Sequence, residues 1–335
     1  MKKKLKTFLL TIFFFFLTLL LLVFPTESLS YSFIGLQLWF NRMIPTLLPF
    51  MILTGIMIRL NLTESFVRAL SPVLKPLLSI SLNGIYALVI GFLCGFPMGA
   101  KVIADLLSRG KLSQKEAQFL LSFCNNIGPI YFMSFALPVL GLQKKAPYLF
   151  GMYGLPLLYG IILRHTLYKN MTPVEERRRP PSGSRQTSFK TPLMVLSAAE
   201  SKQTDTLLDA LDDSIMSSLY GISKLGGYMV LFNLLNLIPQ FFLYNKYLYG
   251  IHICALLNCL LEITSGISRM GNCAPLVVLL LLPFGGFSCI AQTYSMIKDT
   301  ALSLKSYVLH KLALSAVTAL YYGIWLLFSP STFLL

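Results

Sequence analysis

The sequence predicts an all-α polytopic membrane protein of about eight transmembrane helices, in two weakly related halves with broken or re-entrant helices. Three observations predict it. Of 335 residues, 55% are hydrophobic and only 12% charged, with a mean hydropathy of +0.69. Soluble domains carry roughly 25% charged residues, so this chain is built for a bilayer. Apolar runs near the roughly 20 residues that cross a membrane recur from end to end. Two of them are interrupted, at Gly91–Ala100 (GFLCGFPMGA) and at Leu282–Ile290 (LPFGGFSCI). Proline removes a backbone donor and glycine frees the dihedrals, so neither stretch is a clean spanning helix. Broken backbone survives at membrane depth only where protein or a watery cavity covers it. Two such breaks in corresponding halves point to a transporter-type binding site.

The elements follow in order. Residues 1–30 open with Met1-Lys-Lys-Lys-Leu-Lys6 and continue apolar through Phe24. The run exceeds a usual signal-peptide core, so an uncleaved first helix is expected over cleavage near Ser28–Ser30. Further apolar runs fall at about 44–62, 84–108, 117–140, 147–168, 218–243, 248–263, 274–297 and 306–328. The first membrane half is 31–168 and the second 206–335. Between them, 169–205 holds EERRRPPSGSRQ (Glu175–Gln186) and reads as a disordered hydrophilic loop on the cytoplasmic side. Thr206–Ile222 has apolar residues at helical spacing and aspartates between them, the pattern of an amphipathic helix on the interface or beside the next span. Runs 84–108 and 274–297 are expected to be broken spans or re-entrant hairpins, with re-entry favoured for 84–108, and Gly91–Lys101 aligns with Pro283–Gln292 as the internal repeat.

The net charge of +15 is what basic loops beside anionic lipid produce. No aromatic-interleaved basic domain accompanies it, so nucleic acid is not an expected partner. Six cysteines lie in or beside apolar segments without a CxxC pair, and three histidines are scattered at segment ends. Neither metal nor cofactor is expected. No GxSxG, Walker or HExxH pattern occurs, and an enzyme is not expected.

Charge is scarce, so each intramembrane ionisable residue is a candidate. Glu262 precedes Thr264-Ser265-Gly266 and reads either as a solute or proton acceptor or as an interface-level cap. Lys101, directly after the first break, either meets an anionic solute or joins Asp105 and Arg109 in an i,i+4 ladder. Asn125 and Asn126 precede Gly128-Pro129; paired carboxamides beside freed backbone suit a neutral polar solute, and equally serve as glue between helices. Gly95, Pro97 and Gly99 of the first break and Gly286 and Ser288 of the second complete the set.

At these residues the chain resembles the sporulation integral membrane protein YlbJ family. The likeness rests on Gly91–Phe132 (GFLCGFPMGAKVIADLLSRGKLSQKEAQFLLSFCNNIGPIYF), with Ile44–Phe50 and Leu261–Gly266 also similar. That family is grouped with the nucleoside-recognition or gate domains of nucleoside transporters and ferrous-iron permeases. The resemblance implies a multi-pass cell-membrane protein of spore-forming Firmicutes. It carries a ligand role more safely onto Gly95, Pro97, Gly99 and Asn125 than onto Gly285, Gly286 or Ser288. The function expected is binding or passage of a small polar solute, with the bilayer and either further copies or other sporulation membrane proteins as partners. The alternative is a structural protein of the spore envelope with no solute.

Overall fold

A computed structural model of the protein describes residues 2–142, 145–173, 206–243, 250–270 and 274–328. The described residues form helices joined by short turns, with no strand among them. Helix α1 (Lys2–Val23) is apolar and largely exposed, as a lipid-facing segment must be. After Phe24, α2 (Pro25–Arg59) starts on a proline, where the missing N–H is an orphan anyway. A bent connector, α3 (Thr63–Leu78), then meets α4 (Leu82–Cys94) at 97°. Next come α5 (Met98–Ser108), α6 (Gln114–Leu121), α7 (Pro129–Val139) and α8 (Lys145–His165). The later part comprises α9 (Leu207–Leu243), α10 (Gly250–Leu261), α11 (Ile263–Met270), α12 (Pro275–Leu281), α13 (Gly286–Ile297) and α14 (Leu304–Phe328).

Among the described residues six helices are long and apolar enough to cross a membrane, seven if the bent α3–α4 pair is one span, so the expected eight are not confirmed. The shortfall has a physical cause. The runs at 84–108, 117–140 and 248–263 are cut into helices such as α4 and α5, of 13 and 11 residues. At 1.5 Å per residue these reach about 20 Å, short of a roughly 30 Å hydrocarbon core.

The first cut is a hairpin. Gly91 on α4 and Gly99 on α5 are eight positions apart, yet a Cβ on either would press on Cys124. Glu116, at the start of α6, accepts a 2.7 Å hydrogen bond from the Ser81 N–H that precedes α4. So α4 runs in, α5 runs back, and α6 re-enters beside α4. The stretch Ser122–Gly128 then unwinds before α7 resumes the same course.

The second hairpin lies where a short plain run was expected. Helices α10 and α11 fold back at Glu262, and a Cβ on Gly266 would stand 2.6 Å from the Cys259 nitrogen. The run 274–297, expected to be broken or re-entrant, is a broken 23-residue span with its break at Leu282–Gly285. The expected alignment of the two glycine-rich breaks therefore pairs unlike parts: 95–97 is a hairpin tip and 282–285 a span interruption. The spatial counterpart of 282–285 is 122–128.

Thr206–Ile222 also departs from expectation, being the first turns of α9 itself. Thr206 and Asp209 form a capping box, and the helix continues unbroken to Leu235. Its buried face packs on α2, where Trp39 Nε1 donates to the Ile222 carbonyl at 2.8 Å. The hydrophilic stretch expected at 169–205 lies, from 174 onward, outside the described residues.

One end of the bundle gathers the basic residues. Arg59 pairs with Asp213 at 3.5 Å, and Lys111 Nζ donates to the Ile58 carbonyl at 2.7 Å. Arg164 ties α8 to the end of α3, with Nε donating to the Leu78 carbonyl at 2.9 Å and Nη1 to the Tyr168 carbonyl at 2.6 Å. A charged donor shared among the last carbonyls of two helices is a strong use of guanidinium. Arg164→Met is expected to lower stability by about 2 kcal/mol, read as a fall in melting temperature in detergent. Lysine should recover little of it, lacking the fork.

Candidate functional site

The tip of the first hairpin is made by Gly95, at φ +87°, followed by Phe96 and Pro97 in a cis peptide. That positive φ is open to glycine at small cost and strained for other residues. A Cβ on Gly95 would also lie 2.8 Å from the Gly128 Cα, so the tip rests directly on the unwound stretch. The second hairpin repeats this contact. A Cβ on Gly286 would lie 3.0 Å from the carbonyl oxygens of Cys259 and Leu260, at the end of α10. The two parts meet where the Phe96 ring packs on Gly285, 3.1 Å from a Cβ placed there. Two hairpin tips and two span breaks thus converge.

The unwound stretch is solvated by side chains. Asn125 Nδ2 donates to Thr293 Oγ1 and to Tyr307 OH, each at 3.1 Å. Its Oδ1 accepts from the Ala100 N–H at 3.4 Å, at the start of α5. Asn126 Nδ2 donates to the Phe123 carbonyl at 2.7 Å, and its Oδ1 accepts from Lys311 Nζ at 2.8 Å. The same ammonium donates to the Asn125 carbonyl and lies 4.8 Å from the Phe96 ring centroid. Asn125, Asn126, Thr293, Tyr307 and Lys311 are all buried. Without these partners the freed backbone groups would cost several kcal/mol each.

Glu262 turns the second hairpin. Its Oε1 accepts from the Thr264 N–H at 3.2 Å and its Oε2 from the Ser265 N–H at 2.7 Å, which caps α11. Ser265 Oγ donates back to the Glu262 carbonyl at 3.2 Å and receives Asn236 Nδ2 at 3.5 Å. The carboxylate is only 2% exposed, so this cap sits inside the protein and not at the interface.

Between the tips lies a cleft of about 80 Å³, room for several waters. Its wall includes Phe96, Gly128, Tyr131, Glu262, Thr264 and Gln292, among apolar residues of α2, α4 and α7. Gln292 Nε2 donates to Ser288 Oγ at 3.0 Å, one turn back on α13.

Of the residues singled out from sequence, Glu262 and Gly128 line this cleft, and Ser288 holds a side chain that does. Gly95, Gly99, Asn125 and Asn126 form the adjoining tip-and-break cluster behind Phe96. Gly286 seats the second hairpin, and Ser265 serves the cap. Pro97 immediately precedes α5. Lys101 stands apart: its Nζ is held by Asp105 Oδ2 at 2.6 Å, the ladder reading of that residue. Lys311, Phe96, Gln292, Thr293 and Tyr307 join the site without having been expected from the sequence. A signal for Lys311 existed, since it is a lone full charge within the apolar run 306–328.

Fold and site together define an all-helical, multi-pass integral membrane protein with paired hairpins and interrupted spans meeting in its interior. Residues 40–142, which contain the whole first hairpin and the first break, match the Gate family, described as nucleoside recognition. The chain is 26% identical to the sporulation integral membrane protein YlbJ of Bacillus subtilis (strain 168), over 352 aligned positions covering 98% of this chain and 84% of that one. The resemblance read from Gly91–Phe132 thus extends along almost the whole sequence. No solved structure matches it significantly.

Proposed function

We propose that the chain is a carrier, not an enzyme, and that it binds a small polar solute between its hairpin tips and passes it across the membrane. The observation that supports this best is the convergence of four backbone interruptions on one cleft walled by Glu262 and Gln292. Interrupted helices at membrane depth are costly, and their usual use is to turn backbone and short half-helices toward a solute. A carboxylate and a carboxamide supply acceptors and donors together, which suits hydroxyl and amide edges. The nucleoside-recognition description of the Gate family favours nucleosides within that class. The basic end of the bundle is then cytoplasmic. By its relative's name, the setting is a membrane of a sporulating cell.

The test is the melting temperature of the purified protein against nucleosides, nucleobases, amino acids and dicarboxylates. A ligand at a hundredfold excess over Kd adds about 2.7 kcal/mol. We expect one chemical class to raise the melting point, and Gln292→Leu to erase the rise while lowering the unliganded stability by only about 1 kcal/mol, for the lost bond to Ser288. A flat response from well-folded protein would overturn the carrier reading in favour of a structural protein of the spore envelope.

A further inference from the structure

Lys311 sits two turns into the apolar helix α14 with 0% of its surface exposed. An ammonium there loses its hydration, at a cost of several kcal/mol unless other groups replace it. The usual replacement is a carboxylate. Among the described residues the ion pairs are Arg59–Asp213 and Lys101–Asp105, and Lys311 is in neither. Its ammonium instead meets neutral groups: the main-chain carbonyl of Asn125, Asn126 Oδ1 at 2.8 Å, and the ring faces of Phe96 and Tyr307 at 4.8 and 5.7 Å.

The donor set has a recognisable chemistry. A carbonyl freed by an unwound span and a neighbouring amide oxygen, with hydroxyls close by, are the ligands that hold small monovalent cations at helix breaks. Here the oxygens converge on a cation that is covalently part of the chain. Asn125 is fixed for this role from its other side, because Thr293 and Tyr307 hold its amide group and so orient the unwound turn.

We infer that the Asn125–Asn126 break is a monovalent-cation site of sodium type, filled by the tethered ammonium of Lys311. The break then keeps its shape without a metal ion from solution. Removing the lysine head converts the site into one that takes a free cation. Resting on the carrier reading above, a consequence is that solute passage needs no sodium at this position.

The experiment measures the melting temperature of the full chain in detergent, in sodium, potassium, lithium or choline chloride at equal ionic strength. Wild-type protein is expected to melt at the same temperature in all four. Lys311→Ala is expected to melt lower in choline and to recover saturably with one of the small cations, by about 3–6 °C. Adding Asn126→Leu should remove that recovery. A sodium-specific shift in the wild type, or a flat response in a folded Lys311→Ala, would overturn the inference. Should Lys311→Ala not fold, Lys311→Ser supplies a hydroxyl ligand in its place. Failure of both in every salt would overturn it too, because the site would then need the lysine stem and not a cation. No solute enters this measurement, so it can fail while the carrier reading stands, and the reverse.

Discussion

Replacing Gly266 with valine should stop the second hairpin from closing. A Cβ at this position would stand 2.6 Å from both the nitrogen and the Sγ of Cys259. The sulfur could swing away, but the main chain of α10 cannot move without parting the two helices. Small residues let membrane helices approach this closely, and here nothing larger fits. Overpacking a close contact costs about 1–3 kcal/mol when side chains alone adjust, and more when backbone must shift. The loss should spread, because the same tip holds the Glu262 cap and seats Gly286. We expect a fall of about 10 °C or more in melting temperature, or aggregated protein on size exclusion. Gly323→Ala is the matched control. A Cβ there meets nothing within 4 Å, so it should leave the melting point unchanged or raise it slightly.

The contrast between these glycines shows where the sequence was readable. Composition and run length gave the membrane class, and GFPMGA gave the first hairpin tip, because glycine and proline announce broken backbone directly. Asn125-Asn126 before Gly128-Pro129 announced the first span break in the same way. The second tip had no such flag. It is turned by Glu262 capping α11, and LLEITSG carries no proline and only the contact glycine, Gly266. LPFGGFSCI carries the louder signal, yet its glycines permit an interruption and a close helix contact but no reversal. The count of eight spans goes unconfirmed for a related reason. Hydropathy measures how apolar a run is and says nothing of whether it doubles back, so two half-crossings read as one crossing. Lys311 is as legible as Glu262 on the scarcity of charge in apolar runs, but no glycine or proline beside it marks a break.

Glu262 is where the cap and the solute readings can be separated, through two substitutions with different expected losses. Glutamine keeps one oxygen to accept from Thr264 or Ser265 but sets an amide N–H against the other backbone donor. One charge-assisted bond is lost, and stability should fall by about 1–2 kcal/mol. Alanine leaves both buried N–H groups without a partner, and the fall should reach about 2–4 kcal/mol. If capping were the whole role, uptake into proteoliposomes would follow stability: the glutamine protein would be nearly active wherever it is folded. The expected result is different. The carboxylate walls the cleft as well as capping α11, so Glu262→Gln should lose uptake at least tenfold while still folded at the assay temperature. A tenfold loss corresponds to about 1.4 kcal/mol of binding or barrier, the scale of one hydrogen bond to a charged group. Unchanged uptake in a folded Glu262→Gln protein would confine this residue to the hairpin turn and shift the search for solute contacts to Gln292 and the Phe96 face of the cleft.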